Sequence, residues 1–444
     1  MAEQQEIQLW QTVEPVEFIP RIKDQSESQS LLIQTRQAVG YSVAGGQLAH
    51  AIQARATHML LDYTKAACAI RYQVDGAWEQ LPSMERELAD AMLVALKQLC
   101  LMNATDRRST QSGKLGLKVV KEKFSLSLQS RGTPTGEQVM ARIEPDKVPF
   151  QRMADLGMRD KMYAQFKESL DAHGNNILIT APKSEGLTTT WNIAMEAADK
   201  LVRDFQSFEH QDNPEPEIIN INPNFFGGDT EKDLPSVVKS AILKEPDVLI
   251  FPELPDPASM KLAVEQIKKT DKQVYSRMVA PSALHGLVKY LAKYRESAAE
   301  IVSSIGAVLG QRLVRRLCDE CKEGFEPSPQ LLKQLGIPAG RVAMLYRPFV
   351  PPPIEQQVDE NGRPAPIEPC QACNGRGYLG RIAIYELLIP GEKLKAALLK
   401  TQDINKLTQI AKSEGHRSMQ AESVLTVARG LTSLEELKKA FAKR

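Results

Sequence analysis

Two CxxC pairs, Cys318/Cys321 and Cys370/Cys373, constrain the fold of this sequence more than any other feature. Each pair can present two thiolates on a tight turn, and two such turns close a tetrahedral zinc site whatever the length of the loop between them. The interval between the pairs is rich in proline and lacks the periodicity that builds a core, so a bound metal would compensate for the missing core. Four sulfur ligands leave no open position, and the pattern therefore predicts structural Zn²⁺.

Two alternatives exist for these cysteines: four unrelated buried thiols, or a relative of the zinc units of chaperones. The stretch CQACNGRG fits the CxxCxGxG unit of the chaperone domains, but its mate here is CDECKEGF. Chaperone domains carry several copies of the unit, whereas this sequence has one. The sequence therefore predicts a single closed zinc site.

The N-terminus and the charge of the sequence indicate a cytoplasmic protein that does not bind nucleic acid. The start, MAEQQEIQLW, lacks the basic segment and apolar core of a secretory signal, and no apolar run approaches the ~18 residues that span a bilayer. In a reducing compartment, CxxC pairs favour metal over disulfides. The 56 Lys and Arg residues almost cancel the 55 Asp and Glu residues, which removes any bulk attraction to nucleic acid or anionic membrane.

The N-terminal third of the sequence divides into a lead-in and a compact unit. Residues 1–50 are polar, rich in Gln and Ser, and predict a flexible or partly helical lead-in. Residues 51–147 predict an α+β domain, in which two strands flank a turn at Asp75-Gly76 and a helix follows with Ser83 as its cap.

The remaining sequence predicts a parallel sheet with covering helices, followed by a metal-binding segment and a helical end. Residues 148–317 alternate between helical patterns and short apolar strands, as in a nucleotide-binding core. Residues 318–390 hold the cysteines and form the predicted zinc-binding subdomain. Residues 391–444 are helical, and Thr432 with Glu435 predicts a capping box for the last helix.

The stretch ILITAPKSEGLTTTWNIA has the outline of a phosphate-binding loop between a strand and a helix. In such a loop, glycines let backbone N–H groups turn toward the phosphates, a lysine bridges the outer phosphates, and Ser or Thr holds magnesium. Gly186 and Thr188 fit this outline, but Leu187 stands where the lysine belongs. By itself the stretch fits an ordinary strand-to-helix turn as well as an eroded nucleotide loop.

A second stretch, KEPDVLIFPELPD, places two carboxylates, Glu253 and Asp256, after an apolar strand. Nucleotide enzymes place a magnesium-coordinating or water-orienting carboxylate at such a strand end. A solvated strand terminus is the alternative.

Three stretches in the same order, GQRLVRRLCDEC, CQACNGRGYLGRIAIYELL and ARGLTSLEELKKA, carry a family resemblance. The chain resembles the type II secretion and type IV pilus assembly ATPases over roughly residues 45 to 444. The resemblance implies an α/β fold in which an α+β, PAS-like domain precedes a RecA-like three-layer P-loop NTPase core. A tetracysteine zinc subdomain and C-terminal helices complete that fold.

The same resemblance implies ligands and partners. ATP and Mg²⁺ are the ligands of the family, and the inner-membrane platform of a secretion or pilus machine is its partner. A homo-hexamer, or co-assembly with an active motor paralogue, is the implied assembly. Association with the membrane would be peripheral and would pass through these partners.

The family's loop, GPTGSGKTTT, aligns with residues 181–190, so Leu187 replaces its lysine. The implied nucleotide-binding loop consists of Ala181, Pro182, Lys183, Ser184, Glu185, Gly186, Leu187, Thr188 and Thr189. The following acidic strand motif implies Asp247 and Asp256 as further nucleotide-binding residues and Glu253 as the residual catalytic carboxylate. Within that motif Pro252 replaces a glycine and Pro255 replaces an arginine.

Other family positions are substituted as well. In the histidine box, which aligns with residues 270–280, Lys272 and Val279 stand at the histidine positions. An arginine that reaches toward the nucleotide falls on Ser127, whereas Arg142 is retained. For the scrambled acidic box, Glu209 is the nearest candidate.

These losses predict a degenerate motor-family protein that serves as a subunit or regulator, because an arginine finger alone is worth ~10³ to 10⁵ in rate. One alternative is a divergent active ATPase that uses Glu253 and Thr188, with Lys183 in place of the missing lysine. The other alternative is a nucleotide sensor that binds ATP without turnover.

Overall fold

The computed structural model describes residues 8–147, 150–353, 357, 363 and 365–442, which belong to two compact units, Met1–Pro149 and Phe150–Arg444. Each unit is built on its own large sheet. Within these described ranges, no helix combines the length and the apolar character that a membrane crossing needs.

The first unit combines an antiparallel sheet with α-helices, which confirms the predicted α+β class. Its strands are β1 (Glu17–Pro20), β2 (Ala56–Tyr63), β3 (Ala67–Val74), β4 (Ala77–Gln80), β5 (Met84–Glu85), β6 (Gln111–Val119), β7 (Glu122–Thr133) and β8 (Gly136–Pro145). Its helices are α1 (Gln25–Arg36), α2 (Val39–Gln53) and α3 (Arg86–Leu99). The strand order is β1-β6-β7-β8-β2-β3-β4, and β5 pairs with β3.

The turn between β3 and β4 follows directly from the sequence. Strand β3 buries alternate residues from Cys68 to Val74, which places one of its faces in the core. Asp75 and Gly76 have φ values of 50° and 85°, so both central residues of the turn are left-handed. This is the turn that matches the twist of a hairpin, and it confirms the predicted Asp-Gly connection.

The structure describes residues 8–50 of the lead-in, which was predicted to be flexible or partly helical, as a strand and helices of the first unit. Strand β1 pairs antiparallel with β6, and Phe18 stands opposite Leu117. Helix α2 is deeply buried, and a Cβ atom on Gly40 would lie only 1.9 Å from the carbonyl oxygen of Ala91 in α3. Small residues let the two helices approach closely, and they also hide the apolar periodicity that would have revealed the helix.

Helix α3 carries a charged side chain into the core of the first unit. The helix begins after Glu85, so the predicted cap at Ser83 is wrong. Lys97 is 1% exposed and forms an ion pair with Glu137 of β8, which is 5% exposed. The hydroxyl of Ser130 donates to the same carboxylate at 2.9 Å. Burial of this pair is tolerated because each charge has a partner.

The second unit has a mainly parallel sheet. Its strands are β9 (Asn176–Ala181), β10 (Phe205–His210), β11 (Ile221–Phe226), β12 (Val248–Phe251), β13 (Gln273–Val279), β14 (Ile305–Leu317), β15 (Glu323–Phe325), β16 (Leu345–Arg347) and β17 (Tyr378–Leu388). The large sheet has the order β11-β10-β12-β13-β9-β14-β17, while β15 and β16 form a separate ribbon. All neighbours in the large sheet are parallel except β14 and β17.

Helices cover both faces of this sheet and give the three layers that the sequence predicts. They are α4 (Asp160–Asp171), α5 (Leu187–Ala197), α6 (Leu234–Ile242), α7 (Pro257–Thr270), α8 (Ala283–Lys293), α9 (Ala298–Ser304), α10 (Pro329–Leu335), α11 (Glu392–Leu398), α12 (Ile404–Ser413), α13 (Met419–Ala428) and α14 (Leu434–Phe441). Strand β9 shows the layering: Leu178 belongs to the core on one face, and Ile177 and Ile179 belong to the core on the other.

Strand β17 belongs to the large sheet rather than to a separate zinc subdomain, which differs from the predicted boundary of 318–390. It pairs antiparallel with β14 from Val308↔Leu388 to Leu317↔Tyr378. The cysteine segment is therefore an insertion between two neighbouring strands of the large sheet.

The last helix begins one residue later than the predicted capping box of Thr432 and Glu435. The hydroxyl of Ser433 accepts a hydrogen bond from the N–H of Glu436 at 3.1 Å, so Ser433 is the cap. Thr432 instead donates to the carbonyl oxygen of Arg315 at 2.8 Å. Its hydroxyl therefore fixes the start of α14 against strand β14.

Candidate functional site

The four predicted cysteines lie together, with their Sγ atoms all within 4.8 Å of one another. Cys318 Sγ and Cys370 Sγ are 3.9 Å apart, and Cys321 Sγ and Cys373 Sγ are 3.7 Å apart. Sulfurs about 2.3 Å from a zinc ion at the centre of a tetrahedron stand about 3.8 Å from one another. The sulfur positions therefore fit Zn²⁺, and four sulfur ligands make this a structural site.

Backbone hydrogen bonds hold the two CxxC turns against each other. The N–H of Cys318 donates to the carbonyl oxygen of Gly377 at 3.0 Å, and the N–H of Gly377 donates to Cys373 Sγ at 3.3 Å. Asn374 and Gly375 adopt φ values of 52° and 72°, so the chain turns sharply directly after the last cysteine. The glycines of CQACNGRG are thus explained by this turn.

The thiols differ in their ease of ionisation. The N–H groups of Cys373 and Ala372 lower the pKa of Cys370 to about 7, because they donate to its sulfur. Burial raises the pKa of Cys318 and of Cys321. Since zinc binds thiolates, the bound metal supplies the positive charge that keeps the buried sulfurs ionised.

The phosphate-loop stretch lies, as predicted, between the end of β9 and the start of α5. Ser184 and Gly186 have φ values of 64° and 81°, so the loop makes two left-handed turns before the helix. Among the described residues, no side chain caps the N-terminus of α5. The loop therefore lies at the N-terminus of a helix, the position at which phosphate-binding loops bind anions, even though its residues are substituted.

The side chains of this loop serve the fold of the second unit. The Glu185 carboxylate accepts a hydrogen bond from the N–H of Leu313 at 2.8 Å, which anchors the loop to β14. Leu187 packs against the apolar core on that face of the sheet. Lys183 is exposed, and so is Thr188.

A groove of about 590 Å³ lies beside this loop, at the carboxyl ends of β12 and β13. It brings together three predicted site residues, Leu187, Thr188 and Glu253, with Val279 from the histidine box. It is lined by Leu187, Thr188, Pro252, Glu253, Leu254, Arg277, Met278, Val279, Lys289 and Lys293. Ligands of parallel α/β sheets bind at this edge, so the groove is the candidate ligand site.

Asp247 does not belong to this site, which corrects the prediction. It precedes β12, whereas Glu253 follows it, and β12 runs parallel to β13 and β9. Asp247 therefore lies at the opposite edge of the sheet from the loop. Its carboxylate accepts a hydrogen bond from the N–H of Asp204 at 2.9 Å, and Lys272 Nζ is 3.9 Å away.

The carboxylate of Asp256 caps helix α7. It accepts hydrogen bonds from the N–H and the hydroxyl of Ser259 at 3.0 and 2.6 Å. Partial burial acts to raise the pKa of Asp256, but the hydrogen bonds from Ser259 outweigh it and leave the pKa below its usual range. These contacts explain the residue without a nucleotide.

We expect Asp256→Ala to lower the free energy of unfolding by about 1 kcal/mol, the usual cost of losing a helix cap. Because the folded pKa of the carboxyl is depressed, the contribution is present above its unfolded pKa and is lost as pH falls through the folded pKa. Urea unfolding between pH 7 and pH 2 measures how this contribution to the free energy of unfolding changes with pH. The matched control is Asp233→Ala, since Asp233 caps α6 through the N–H of Ser236 at 2.8 Å. Weaker binding of magnesium ATP to Asp256→Ala alone would contradict a purely structural role.

Arg277 lines the groove but was not among the site residues predicted from the sequence. Its two terminal nitrogens contact the two carboxylate oxygens of Glu215 at 2.9 and 2.5 Å, and its Nε donates to the carbonyl oxygen of Pro252 at 2.9 Å. The guanidinium also lies over the ring of Trp191, 5.4 Å from the centroid. Its only signal in the sequence is a charged residue between the apolar residues Val274, Tyr275, Met278 and Val279 of the histidine-box stretch.

The acidic groups near this edge bind to other residues of the second unit. Asn213 Nδ2 donates to Glu253 at 2.9 Å. Glu209, the candidate from the acidic box, accepts from the hydroxyl of Ser207 at 2.6 Å and from the N–H of Glu215 at 2.9 Å. In the first unit, Ser127 and Arg142 are cross-strand neighbours on β7 and β8, and Arg142 pairs with Glu144 at 2.6 Å.

Comparison with known proteins gives the family. Residues 38–439 match the family described as Type II/IV secretion system protein. Type II secretion system protein E of Xanthomonas campestris pv. campestris is 25% identical over 392 residues, which are 87% of this chain and 65% of that protein. The type IV pilus assembly ATPase PilB of Thermus thermophilus is 24% identical over 371 residues, 83% of this chain and 39% of that protein. The chain thus spans less than two thirds of the length of both relatives.

Solved structures agree on the fold. The ATPase DotB of Legionella pneumophila superposes with a TM-score of 0.57 at 12% identity, covering 89% of this chain and 94% of that chain. The pilus retraction motor PilT with bound ADP gives a TM-score of 0.51 at 15% identity, covering 89% and 96%. The family match extends over most of the sequence, and it shows that this chain belongs to the Type II/IV secretion system protein family.

Proposed function

We propose that this chain is a structural or regulatory subunit of a type II secretion or type IV pilus machine and does not hydrolyse ATP at a useful rate. The observation that carries the proposal is the placement of Leu187. At the first residue of α5, where a phosphate loop needs an ammonium group, a partly buried apolar side chain packs against the core.

The environment of Glu253 supports the same proposal. A catalytic carboxylate in a nucleotide site must orient a water molecule or magnesium. Here Glu253 accepts a hydrogen bond from Asn213, and Pro252 and Pro255 stiffen the backbone around it. Arg277, the cation nearest in the chain to the end of β13, is bound to Glu215. Glu253 and Arg277 are thus both engaged in contacts within the protein.

The partners and the location follow from the family as part of the proposal. The chain would act in the cytoplasm on the inner-membrane platform of the machine, either as a homo-hexamer or in co-assembly with an active motor paralogue. Its zinc site would hold the insertion between β14 and β17 in shape. ATP and Mg²⁺ would then be bound weakly or by the active neighbour.

One observation favours a second candidate, a nucleotide sensor that binds without turnover. Lys289 and Lys293 of α8 line the groove together with Thr188. Lys293 donates to the carbonyl oxygen of Leu254 at 3.1 Å, and burial lowers the pKa of Lys293. Two ammonium groups in the groove favour an anionic ligand even though α5 lacks its lysine.

The test is to titrate the purified full chain with magnesium ATP by calorimetry and then to measure phosphate release. We expect release at the level of a buffer control, unchanged by Glu253→Gln. The control variant is Glu265→Gln on the exposed surface of α7, where the side chain is 41% exposed. Turnover that is present in the wild type and in Glu265→Gln but disappears in Glu253→Gln would show an active ATPase. Binding without turnover would favour the sensor.

A further inference from the structure

Residues 211–220, which we call the strap, connect β10 to β11. Because these strands are parallel neighbours, the strap must run from the carboxyl ends of the sheet back to its amino ends. Parallel strands are usually joined by a helix, but the described residues of the strap contain none. Specific side-chain contacts hold the strap in place instead.

Those contacts are made to residues of the candidate groove. Glu215, at the middle of the strap, forms the paired hydrogen bonds with Arg277, and Asn213 donates to Glu253 at 2.9 Å. The side chains of Arg277 and Glu215 are only 12% and 13% exposed, so this is a partly desolvated ion pair. Arg277 and Glu253 also line the groove. The strap thus binds one cationic side chain of the groove, Arg277, and one carboxylate, Glu253.

The geometry of Arg277 suits a different partner equally well. A guanidinium presents a planar fork that binds a phosphate in the same bidentate manner as a carboxylate. In this chain the Glu215 carboxylate binds the guanidinium of Arg277, while Lys289 and Lys293 lie in the same groove. A polyphosphate that entered the groove would have to compete with Glu215 for Arg277.

We propose that Glu215 is an internal competitor of polyphosphate and determines whether the groove admits the phosphate groups of a nucleotide. With Glu215 on Arg277, the strap is closed and the groove has lost its strongest anion-binding group. With Glu215 displaced, Arg277 becomes a phosphate ligand beside Thr188, and the strap is released from the sheet edge. This role concerns the same groove as the proposed function and rests on it for the location of the ligand.

The experiment compares binding of tripolyphosphate and of ATP to the full chain and to Glu215→Gln. We expect Glu215→Gln to bind both probes about tenfold to a hundredfold more tightly, the value of one charge-assisted bidentate contact. Glu265→Gln removes a carboxylate from an exposed ion pair and should bind as the wild type does. Adding Arg277→Met to Glu215→Gln should remove the gain. Equal affinity of Glu215→Gln and the wild type, with both folded by circular dichroism, would overturn the proposal.

Asn213→Ala keeps the proposal testable if loss of Glu215 prevents folding. It loosens the strap at Glu253 and leaves the ion pair in place, so we expect faster hydrogen exchange at residues 211–220 and about threefold tighter tripolyphosphate binding. Unchanged affinity despite faster exchange would overturn the competition. Because both readouts are ratios of binding constants, they are independent of phosphate release, which alone decides whether the chain hydrolyses ATP.

Discussion

Cys373→Ser is expected to abolish zinc binding and to unfold the insertion between β14 and β17. Cys373 is 1% exposed, and its sulfur accepts the N–H of Gly377 as well as facing the other three cysteines. Structural zinc sites contribute about 10 to 16 kcal/mol to the folding of small domains, far more than the short ribbon of β15 and β16 can replace. Metal analysis of freshly purified, reduced protein and limited proteolysis of residues 318–377 measure the effect.

The control for this change is Cys68→Ser, another buried cysteine, located in the core of the first unit. It should reduce the stability of the first unit while the protein keeps its full zinc content. Wild-type protein that contains no zinc, or Cys373→Ser that keeps it, would contradict a four-sulfur site.

Lys97→Met is expected to lower the free energy of unfolding by about 3 to 5 kcal/mol, a large part of the stability of a domain. The change leaves the Glu137 carboxylate 5% exposed and without its cation, so only hydrogen bonds such as that from Ser130 remain. The carbonyl oxygen of Asp106 also loses the hydrogen bond that the Lys97 ammonium donates to it at 2.8 Å. Urea unfolding followed by the circular dichroism of the full chain measures the loss.

A double variant separates the buried charge from simple packing. Lys97→Met with Glu137→Leu removes both charges and should recover most of the loss, because replacement of a buried pair by apolar residues is often neutral. Lys269→Met, in an exposed pair with Glu265 on α7, should change stability by less than about 0.5 kcal/mol. A cost below about 1 kcal/mol for Lys97→Met would mean that the pair is solvated in solution.

Patterns that lie within a few residues were predictable from the sequence. The CxxC turns, the Asp75-Gly76 hairpin and the apolar strand before Glu253 each depend on neighbours in the chain, and each is found where predicted. Strands β10 and β13 were missed because they bury polar side chains. Gln273 of β13, for example, donates to Asn175 at 2.7 Å and is fully buried. A polar residue satisfied by a distant partner looks like a surface residue in the sequence.

At the candidate site, too, the sequence could not reveal contacts between residues that are distant in the chain. Asp247 and Glu253 flank one strand of four residues, and only the direction of that strand within the sheet assigns them to opposite edges. Glu215 and Arg277 are 62 residues apart, and no local pattern connects them. The sequence could show which family positions are substituted, but not that Glu215 and Arg277 form an ion pair at the sheet edge.

The long hairpin of β14 and β17 has a mechanical consequence. The end at which the insertion joins the two strands, at Leu317 and Tyr378, lies directly beside the cysteine centre. The other half of β14 pairs with β9, the strand that leads into the phosphate-loop stretch. A force applied at the insertion would act along both strands in the same direction, so it would load the hydrogen bonds between β14 and β9 in shear, and these bonds would have to break together. Strand β14 is therefore one continuous connection between the cysteine centre and the strand that leads into the phosphate-loop stretch.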